Sequence, residues 1–260
     1  MYKSVNIMLL KNISGEKNEV LFYPPPYKIK GFTLSEVLIT LVVIGVVAAI
    51  TVPVMIADWQ KQATVERLKK SYSTIANALT RAVADNGPAY TWESTSASST
   101  SVLFMTAKDF AETYLTPYLN VSKVCEYGKD AVCDYKVTAI ANSNSFSSKL
   151  FYSSSLYAFV LTDGTTVVVG QPTVAANDIG IHFLELTIDI NGSKKPNKFG
   201  RDVATIYFYT DGNQISPKLM PGCNNCKTRE EHMTACRMIS MNCLGVIAAD
   251  GWQIKKDYPW

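Results

Sequence analysis

An uninterrupted apolar segment near the N-terminus most constrains what this chain can become. No charged residue occurs between Val37 and Ala57, and most positions are Val, Ile, Leu or Ala. An apolar helix of about 20 residues covers the ~30 Å hydrocarbon core of a bilayer. The segment therefore predicts one membrane-spanning helix, and the alternative is a helix buried in a soluble core.

The charge of the chain is concentrated in front of this segment. The 260 residues carry a formal net charge of +3. Residues 1–31 alone also carry a net charge of +3, because they contain three more lysines than glutamates. Positive charge before an apolar segment keeps that flank in the cytoplasm. We therefore expect the rest of the chain to cross the membrane. Because that part is formally neutral, we expect no nucleic acid among its partners.

All six cysteines follow the apolar segment, and an even number in an exported domain indicates disulfides. Cys125 and Cys133 bracket a short loop that suits a local disulfide. The other four allow three pairings and lie near the C-terminus: Cys223, Cys226, Cys236 and Cys243. The first pair of these has the spacing of half a zinc site, but a second close pair is missing. We favour two disulfides over zinc.

The order of segments at the N-terminus differs from that of an ordinary secretory signal, which is cut after its apolar core. Here Lys28 and Lys30 lead to Gly31, and the apolar residues follow. One acid, Glu36, stands between Gly31 and the uncharged segment. An acid at the centre of a membrane helix costs about 2.5–3.5 kcal/mol, so a carboxylate near the span is expected to have a partner and a role.

The heptapeptide Lys30-Gly31-Phe32-Thr33-Leu34-Ser35-Glu36, together with the apolar residues up to Ile50, resembles the signal of type IV pilins and type II secretion pseudopilins. The resemblance implies that a prepilin peptidase cuts after Gly31 and methylates the new N-terminal residue, Phe32. It also implies that Glu36 pairs with the free amine of Phe32, on the same or a neighbouring subunit, during assembly.

Other implications of the resemblance concern the helix and the leader. Gly45 and Pro53 fall where the family often has a loosening glycine and a kinking proline. The leader, residues 1–31, is longer than in many members of the family. The sequence does not decide whether the chain starts at Met1 or at Met8.

The resemblance further implies a domain organisation and a cellular location. Residues 32–57 form the membrane and assembly half of the N-terminal helix, and residues 58–260 form a globular periplasmic domain. The protein is expected as a single-pass protein of the bacterial inner membrane with a cytoplasmic N-terminus. Its expected partners are the prepilin peptidase, other pilin or pseudopilin subunits and inner-membrane lipid.

The function implied is that of a structural subunit, a minor pilin or pseudopilin of a type IV pilus or a type II secretion system. Pilus and secretion system are not distinguished at this point. The alternative is a membrane-anchored periplasmic binding module whose helix is a plain signal anchor. We expect no enzyme, because the chain has only two histidines and no recognisable nucleophile motif.

The remaining patterns predict an α+β, pilin-like fold. Apolar residues recur at spacings of four and three after Asp58, and Asn86-Gly87-Pro88 marks a helix end, so a helix is expected from about Thr33 to Asp85. A short amphipathic helix is expected at 107–119. Four strands of an antiparallel sheet packed on the long helix are predicted at 156–161, 165–169, 182–190 and 203–209, with a hairpin turn at Asp163-Gly164. One face of this sheet is expected to bury Phe159, Leu186, Ile188 and Tyr207 against the helix. A coil-rich C-terminal region bounded by disulfides completes the predicted fold.

One loop of this predicted sheet carries candidate metal ligands. Asp189, Asn191 and Asp202 place oxygen-bearing side chains around Gly192, as a Ca²⁺ loop requires. The loop resembles the strand-connecting loop that holds calcium in some pseudopilins. Three lysines in the same stretch count against a divalent cation. The alternative is a turn in which Asx side chains accept bonds from backbone amides.

Overall fold

The computed structural model describes residues 31–92, 105–140, 147–174, 181–210, 217–223 and 225–260. The leader other than Gly31 lies outside these described residues. The chain divides into two compact units, Met1–Met55 and Ile56–Trp260. The first described unit is the start of a long helix, and the second contains the whole sheet.

The long helix α1 spans Leu34–Asn86, close to the predicted bounds. Gly87, with φ +81°, supplies the left-handed residue that commonly ends a helix. Within the second unit α1 buries one stripe of residues: Val65, Leu68, Ser71, Ile75, Ala78, Leu79 and Ala82. Spacings of three and four place this stripe on one face, so the predicted amphipathic half is confirmed.

A second helical segment follows, as predicted from residues 107–119. It comprises α2, Ala107–Phe110, a π-helical turn, Ala111–Leu115, and a 3₁₀ turn, Thr116–Tyr118. Thr106 and Asp109 form a capping box at its start. Its buried side includes Tyr114. The Tyr114 ring stacks on Trp92, the residue that follows an earlier 3₁₀ turn at Ala89–Thr91, at a centroid distance of 4.1 Å.

The strands form one mixed sheet, and their bounds are β1 Val121–Cys125, β2 Lys136–Ala139, β3 Ser147–Lys149, β4 Tyr157–Leu161, β5 Thr166–Val169, β6 Thr173–Val174, β7 Ile181–Asp189, β8 Lys198–Phe199, β9 Val203–Tyr209 and β10 Lys218–Pro221. The main order is β1-β4-β5-β7-β9-β8-β2-β3, with β6 paired to β7 and β10 to β9. The β2–β8 and β8–β9 pairs are parallel, and the others are antiparallel.

The prediction of an α+β fold with a helix and a sheet is confirmed, but the sheet is larger than expected. The four predicted strands are β4, β5, β7 and β9, at the centre of the sheet. The prediction of about four purely antiparallel strands is wrong, because six further strands among the described residues extend the sheet and β8 pairs in parallel with β2 and β9. These have two to five residues each and lack the nearly continuous apolar and β-branched sequences that made the similarly short β4 and β5 recognisable.

The core lies between the α1 stripe and one face of the sheet. Phe159, Leu186 and Ile188 are fully buried there, as predicted, together with Phe208 of β9. Tyr207 was expected on the same face, and this prediction is wrong. Because side chains alternate along a strand, Tyr207 lies on the opposite face from its neighbours Ile206 and Phe208.

That opposite, outer face carries a second and smaller apolar cluster. Its buried members come from several strands and include Val160, Val168, Phe199 and Val203, with Leu156 and Met241 packed at its side. The Cys125–Cys133 disulfide belongs to the same cluster. The outer face is therefore only partly exposed to solvent.

The C-terminal region is helical, which corrects the prediction of a coil-rich region. Helix α3 spans Arg229–Met238, a 3₁₀ turn follows at Ser240–Cys243, and α4 spans Leu244–Ala249. A capping box of Thr228 and Glu231 begins α3 and provides the hydrogen bonds that favour a helix over coil. The Cys236–Cys243 disulfide then joins α3 to the end of the 3₁₀ turn.

Candidate functional site

The junction predicted for cleavage lies in non-helical, exposed chain directly before α1. Gly31 and Phe32 are both exposed, Phe32 to 87%. A Cβ atom added to Gly31 would meet no heavy atom within 4 Å, and its φ lies outside the left-handed region. The fold of the described residues therefore does not itself require glycine at this position. A requirement for glycine here would come from whatever enzyme acts on the junction.

Glu36 occupies the third position of α1 and forms a capping box with Thr33. The Glu36 amide donates to Thr33 Oγ1 at 3.3 Å, and the Thr33 amide donates to Glu36 Oε2 at 2.8 Å. The Thr33 hydroxyl donates to the same carboxylate oxygen at 2.8 Å. The carboxylate is thus held at the positive end of the helix dipole, on the amide of the residue that directly follows Phe32.

The helix beyond Glu36 presents an apolar surface with no protein cover among the described residues. It contains an 18-residue window of mean hydropathy 2.8, of which 0% is buried. The hydroxyls of Thr40 and Thr51 donate to carbonyls of their own helix, those of Val37 and Val47. Polar groups satisfied in this way suit a hydrocarbon environment. Gly45 and Pro53 lie within this helix, and the kink expected there stays a prediction.

A prepilin-type signal followed by an exposed apolar helix defines a pilin-like or pseudopilin-like precursor, and the comparisons with known proteins agree. Residues 27–52 match the prokaryotic N-terminal methylation motif. Residues 54–260, more than half of the chain, match a family of unknown function, DUF6613, and the chain belongs to this family. No curated protein and no solved structure matches the chain significantly.

These findings confirm the prepilin signal read from the sequence. They indicate a structural subunit rather than an enzyme, and the motif together with the apolar helix fits a membrane-anchored pilin. Processing by a prepilin peptidase and assembly with other pilins follow from the motif as general properties.

The predicted Ca²⁺ loop connects β7 to β9 and brings its candidate ligands close together. Asp189 is fully buried, accepts a hydrogen bond from the Tyr135 hydroxyl at 2.9 Å and another from the Asn191 amide at 3.1 Å. Burial raises the pKa of Asp189 to about 7, and the negative charge of nearby Asp202 acts in the same direction. No cationic side chain contacts Asp189 within the described part of the chain.

Asp202 organises the other half of this loop through backbone amides. Its carboxylate oxygens accept from Asn197 at 2.8 Å and from Lys198 at 2.7 Å. The Asx turn that was the alternative to calcium is formed by Asp189, whose carboxylate accepts from the Asn191 amide two residues later, and Gly192 follows with φ +63°. The side-chain oxygens Oδ1 of Asn191 and Asn197 are nevertheless buried without a hydrogen-bond partner among the described residues. Such oxygens are suitable calcium ligands.

The cysteines pair locally, as Cys125–Cys133, Cys223–Cys226 and Cys236–Cys243. The ligand atoms of His232 and the second pair lie within 4.8 Å of one another, which is metal-like spacing. In the disulfide, however, neither sulfur is a thiolate, so the zinc alternative loses its strongest ligands. The three pairings left open for the last four cysteines are thereby reduced to one.

Two features of the site were missed from the sequence although the chain carries their signal. Thr33-Leu34-Ser35-Glu36 has the pattern of a capping box, which was interpreted only through cleavage and assembly. Arg229 holds the Asp250 carboxylate by two hydrogen bonds at 2.6 and 2.9 Å. No sequence pattern predicts the pairing of Arg229 with Asp250, because the two residues are far apart in the chain.

Proposed function

We propose that this protein is a filament subunit, a minor pilin or pseudopilin of a type IV pilus or type II secretion system. The observation that supports the proposal is the methylation motif at residues 27–52, on a helix whose apolar half is not covered by any other described part of the chain. Lipid covers such a surface before assembly, and the helices of neighbouring subunits cover it afterwards.

Cleavage after Gly31 prepares the charge pair needed for assembly. It removes the basic leader and frees the amine of Phe32 beside a carboxylate that the capping box already orients. Leaving one member of a buried ion pair without its partner costs about 3–5 kcal/mol. Glu36 therefore favours the processed chain over the precursor, and it favours packing in which an amine faces it.

The proposed location follows from the same residues. The leader stays in the cytoplasm, α1 crosses the bacterial inner membrane once, and the sheet domain lies in the periplasm. Inner-membrane lipid, the prepilin peptidase and other subunits are the proposed partners. The alternative, a periplasmic binding module on a plain signal anchor, shares this topology but needs neither cleavage nor helix bundling.

Photo-crosslinking separates the two alternatives. A photoreactive residue replaces Val46, which is 57% exposed on the apolar helix, in cells that carry the assembly machinery and the prepilin peptidase. A filament subunit gives crosslinks to other pilin-like subunits, and these disappear without the peptidase. The matched control replaces Arg237, an exposed residue of α3. If the Val46 variant forms no crosslinks in cells that assemble filaments, the result would support the plain signal anchor instead.

We also propose that the β7–β9 loop binds Ca²⁺. The specific observation is that, among the described residues, the buried Oδ1 atoms of Asn191 and Asn197 have no hydrogen-bond partner and the buried carboxylates of the same loop have no cationic partner. Asp189 and Asp202 would supply the charged oxygens and the two asparagines the neutral ones, a ligand set that calcium prefers. The ion would neutralise carboxylates that the fold otherwise buries close to each other.

A further inference from the structure

The outer face of the sheet carries an acidic residue whose surroundings resemble a ligand site. On β7, Leu184, Leu186 and Ile188 point towards α1 and are fully buried. Because side chains alternate along a strand, Glu185 and Thr187 point to the outer face. Glu185 therefore lies near the middle of the sheet rather than at its rim, in a position where an acid is uncommon.

The neighbours of Glu185 leave space on one side and place an aromatic ring on the other. Gly170, which follows β5, donates its amide to the Glu185 carbonyl at 2.8 Å. A Cβ atom on Gly170 would lie 3.1 Å from the Glu185 carbonyl oxygen and 3.4 Å from its Cβ atom, so glycine permits this close approach, and Gly170 lines the groove beside Glu185. On β9, Tyr207 pairs directly with Glu185, and its ring stacks on Phe183 at a centroid distance of 5.2 Å.

No positive charge balances Glu185 within the part of the chain that the structure describes. Its side-chain hydrogen bond, from the Thr187 hydroxyl, is at the 3.5 Å limit. Lys149 lies in the same groove but is paired with Asp134 at 2.7 Å. Burial raises the pKa of the Glu185 carboxyl, and its negative charge contributes to the raised pKa values of Tyr152 and Tyr207. Glu185 therefore lies close to aromatic side chains and has no cationic partner among the described residues.

Glu185, Gly170 and Phe183 line a groove with a volume of about 340 Å³, within the range typical of small-molecule sites. Its walls are mixed. Apolar and aromatic surface comes from Leu156, Tyr152, Phe183, Phe199 and Met241, and polar surface comes from Ser148, Lys149, Ser155, Gln171 and Thr187. Glu185 is the only carboxylate among the described residues of this lining and Lys149 is already paired with Asp134, so a groove that also offers aromatic rings is complementary to an organic cation. The carboxylate attracts the charge, and ring faces stabilise the cation by cation–π interaction. A strongly hydrated metal ion would find too few oxygen ligands here.

We propose that this groove binds a small organic ammonium ion, with Glu185 neutralising its charge and Tyr152 and Phe183 contacting its alkyl groups. Selectivity follows from the chemistry of the walls. An anion is repelled by Glu185, and a neutral molecule of the same shape leaves the partly buried carboxylate without a partner. The site is on the sheet domain and does not depend on cleavage or filament assembly.

Calorimetric titration of the full-length protein in a non-ionic maltoside detergent tests the proposal. The probes are choline, butylammonium, and 3,3-dimethyl-1-butanol, which is a neutral molecule with the shape of choline. We expect at least one ammonium probe to bind saturably. If choline binds, the neutral alcohol should bind at least about tenfold more weakly than choline. Glu185→Gln should weaken ammonium binding by a similar factor. Glu230→Gln, at an exposed acid of α3, should leave it unchanged.

A second pair of variants keeps the test decisive if Glu185→Gln does not fold. Tyr152 is 59% exposed, so its replacement is tolerated by the fold. Tyr152→Leu should weaken ammonium binding severalfold, whereas Tyr152→Phe, which keeps the ring, should retain it. Failure of both ammonium probes to bind saturably would overturn the proposal. Equal binding of choline and its neutral analogue, or unchanged binding by both Glu185→Gln and Tyr152→Leu, would overturn it as well.

Discussion

Thr33 and Glu36 hydrogen-bond to each other in both directions at the first turn of α1, with the backbone amide of each residue donating to the side chain of the other. One carboxylate therefore has two tasks that can be separated by substitution. In the precursor it caps the helix, and in the processed chain it is available to the amine of Phe32. Glutamine keeps the capping hydrogen bond and removes the charge.

Glu36→Gln should therefore be cleaved normally, keep its helix and fail to enter filaments. Thr33→Ala should lose the cap, which costs about 1 kcal/mol, and still assemble because the charge remains. Immunoblots of the sheared filament fraction against total protein measure both results. Normal incorporation of Glu36→Gln would show that the charge has no role in assembly.

The pairing of Arg229 with Asp250 predicts an acid-sensitive attachment of the C-terminal residues. The Asp250 side chain is only 1% exposed, and Lys255 contacts it as well. The hydrogen bonds from Arg229 hold the pKa of Asp250 below its usual range. A carboxyl with a depressed pKa stabilises the fold above its unfolded pKa of about 4, and this stability is lost as the pH falls through the folded value.

Arg229→Met should accordingly lower the thermal midpoint at pH 7 by roughly 5 °C or more, because a buried carboxylate loses its main partner. The difference from the unmodified protein should begin to shrink below the unfolded pKa of about 4 and should be lost as the pH falls through the depressed folded pKa of Asp250. The control is Arg237→Met, at an exposed arginine on the same helix. Thermal unfolding at pH 7 and pH 3.5 measures the effect. An equal destabilisation at both pH values would contradict the assignment.

Calcium should stabilise the sheet domain if the β7–β9 loop binds it. At a free concentration of 100 times Kd, the expected gain in unfolding free energy is about 2.7 kcal/mol. Asp202→Asn should abolish the gain, whereas Asp58→Asn, at an exposed acid of α1, should keep it. Thermal unfolding in calcium, in magnesium and in chelator provides the measurement. The same midpoint in all three solutions would show that the loop is only a turn.

The sequence predicted the elements whose signal repeats over many residues. The apolar and amphipathic halves of α1 each extend over several turns, and β4, β5, β7 and β9 have continuous β-forming sequences. The turn at Asp163-Gly164 was also recognised, and the Gly164 φ of +87° explains the preference for glycine there. These features depend on local periodicity and turn chemistry, which a single sequence displays directly.

Other features depend on tertiary contacts and could not be predicted in this way. Strand β8 has two residues and exists because it lies between β2 and β9. The inward or outward direction of Tyr207 depends on register, since a shift of one residue exchanges the two faces of a strand. The C-terminal helices are different, because the capping box of Thr228 and Glu231 was visible and was not used.

The same limit applies to the candidate sites. The cleavage junction and Glu36 were found because their residues are adjacent in the chain. Glu185, Gly170 and Tyr152 come from separate strands and loops, and only the folded sheet brings them into one groove. Such a site has no linear motif, and its alternating strand pattern looks like an ordinary solvent-exposed face.

The mass of the N-terminal peptide after coexpression with a prepilin peptidase tests the central claim most directly. We predict a mature chain that begins with N-methylated Phe32 and lacks residues 1–31. Gly31→Leu should stay uncut, although the described fold has room for the side chain, and Gly45→Ala should be processed normally. An intact N-terminus in the unmodified protein beside an active peptidase, or a cut at another position, would contradict the account.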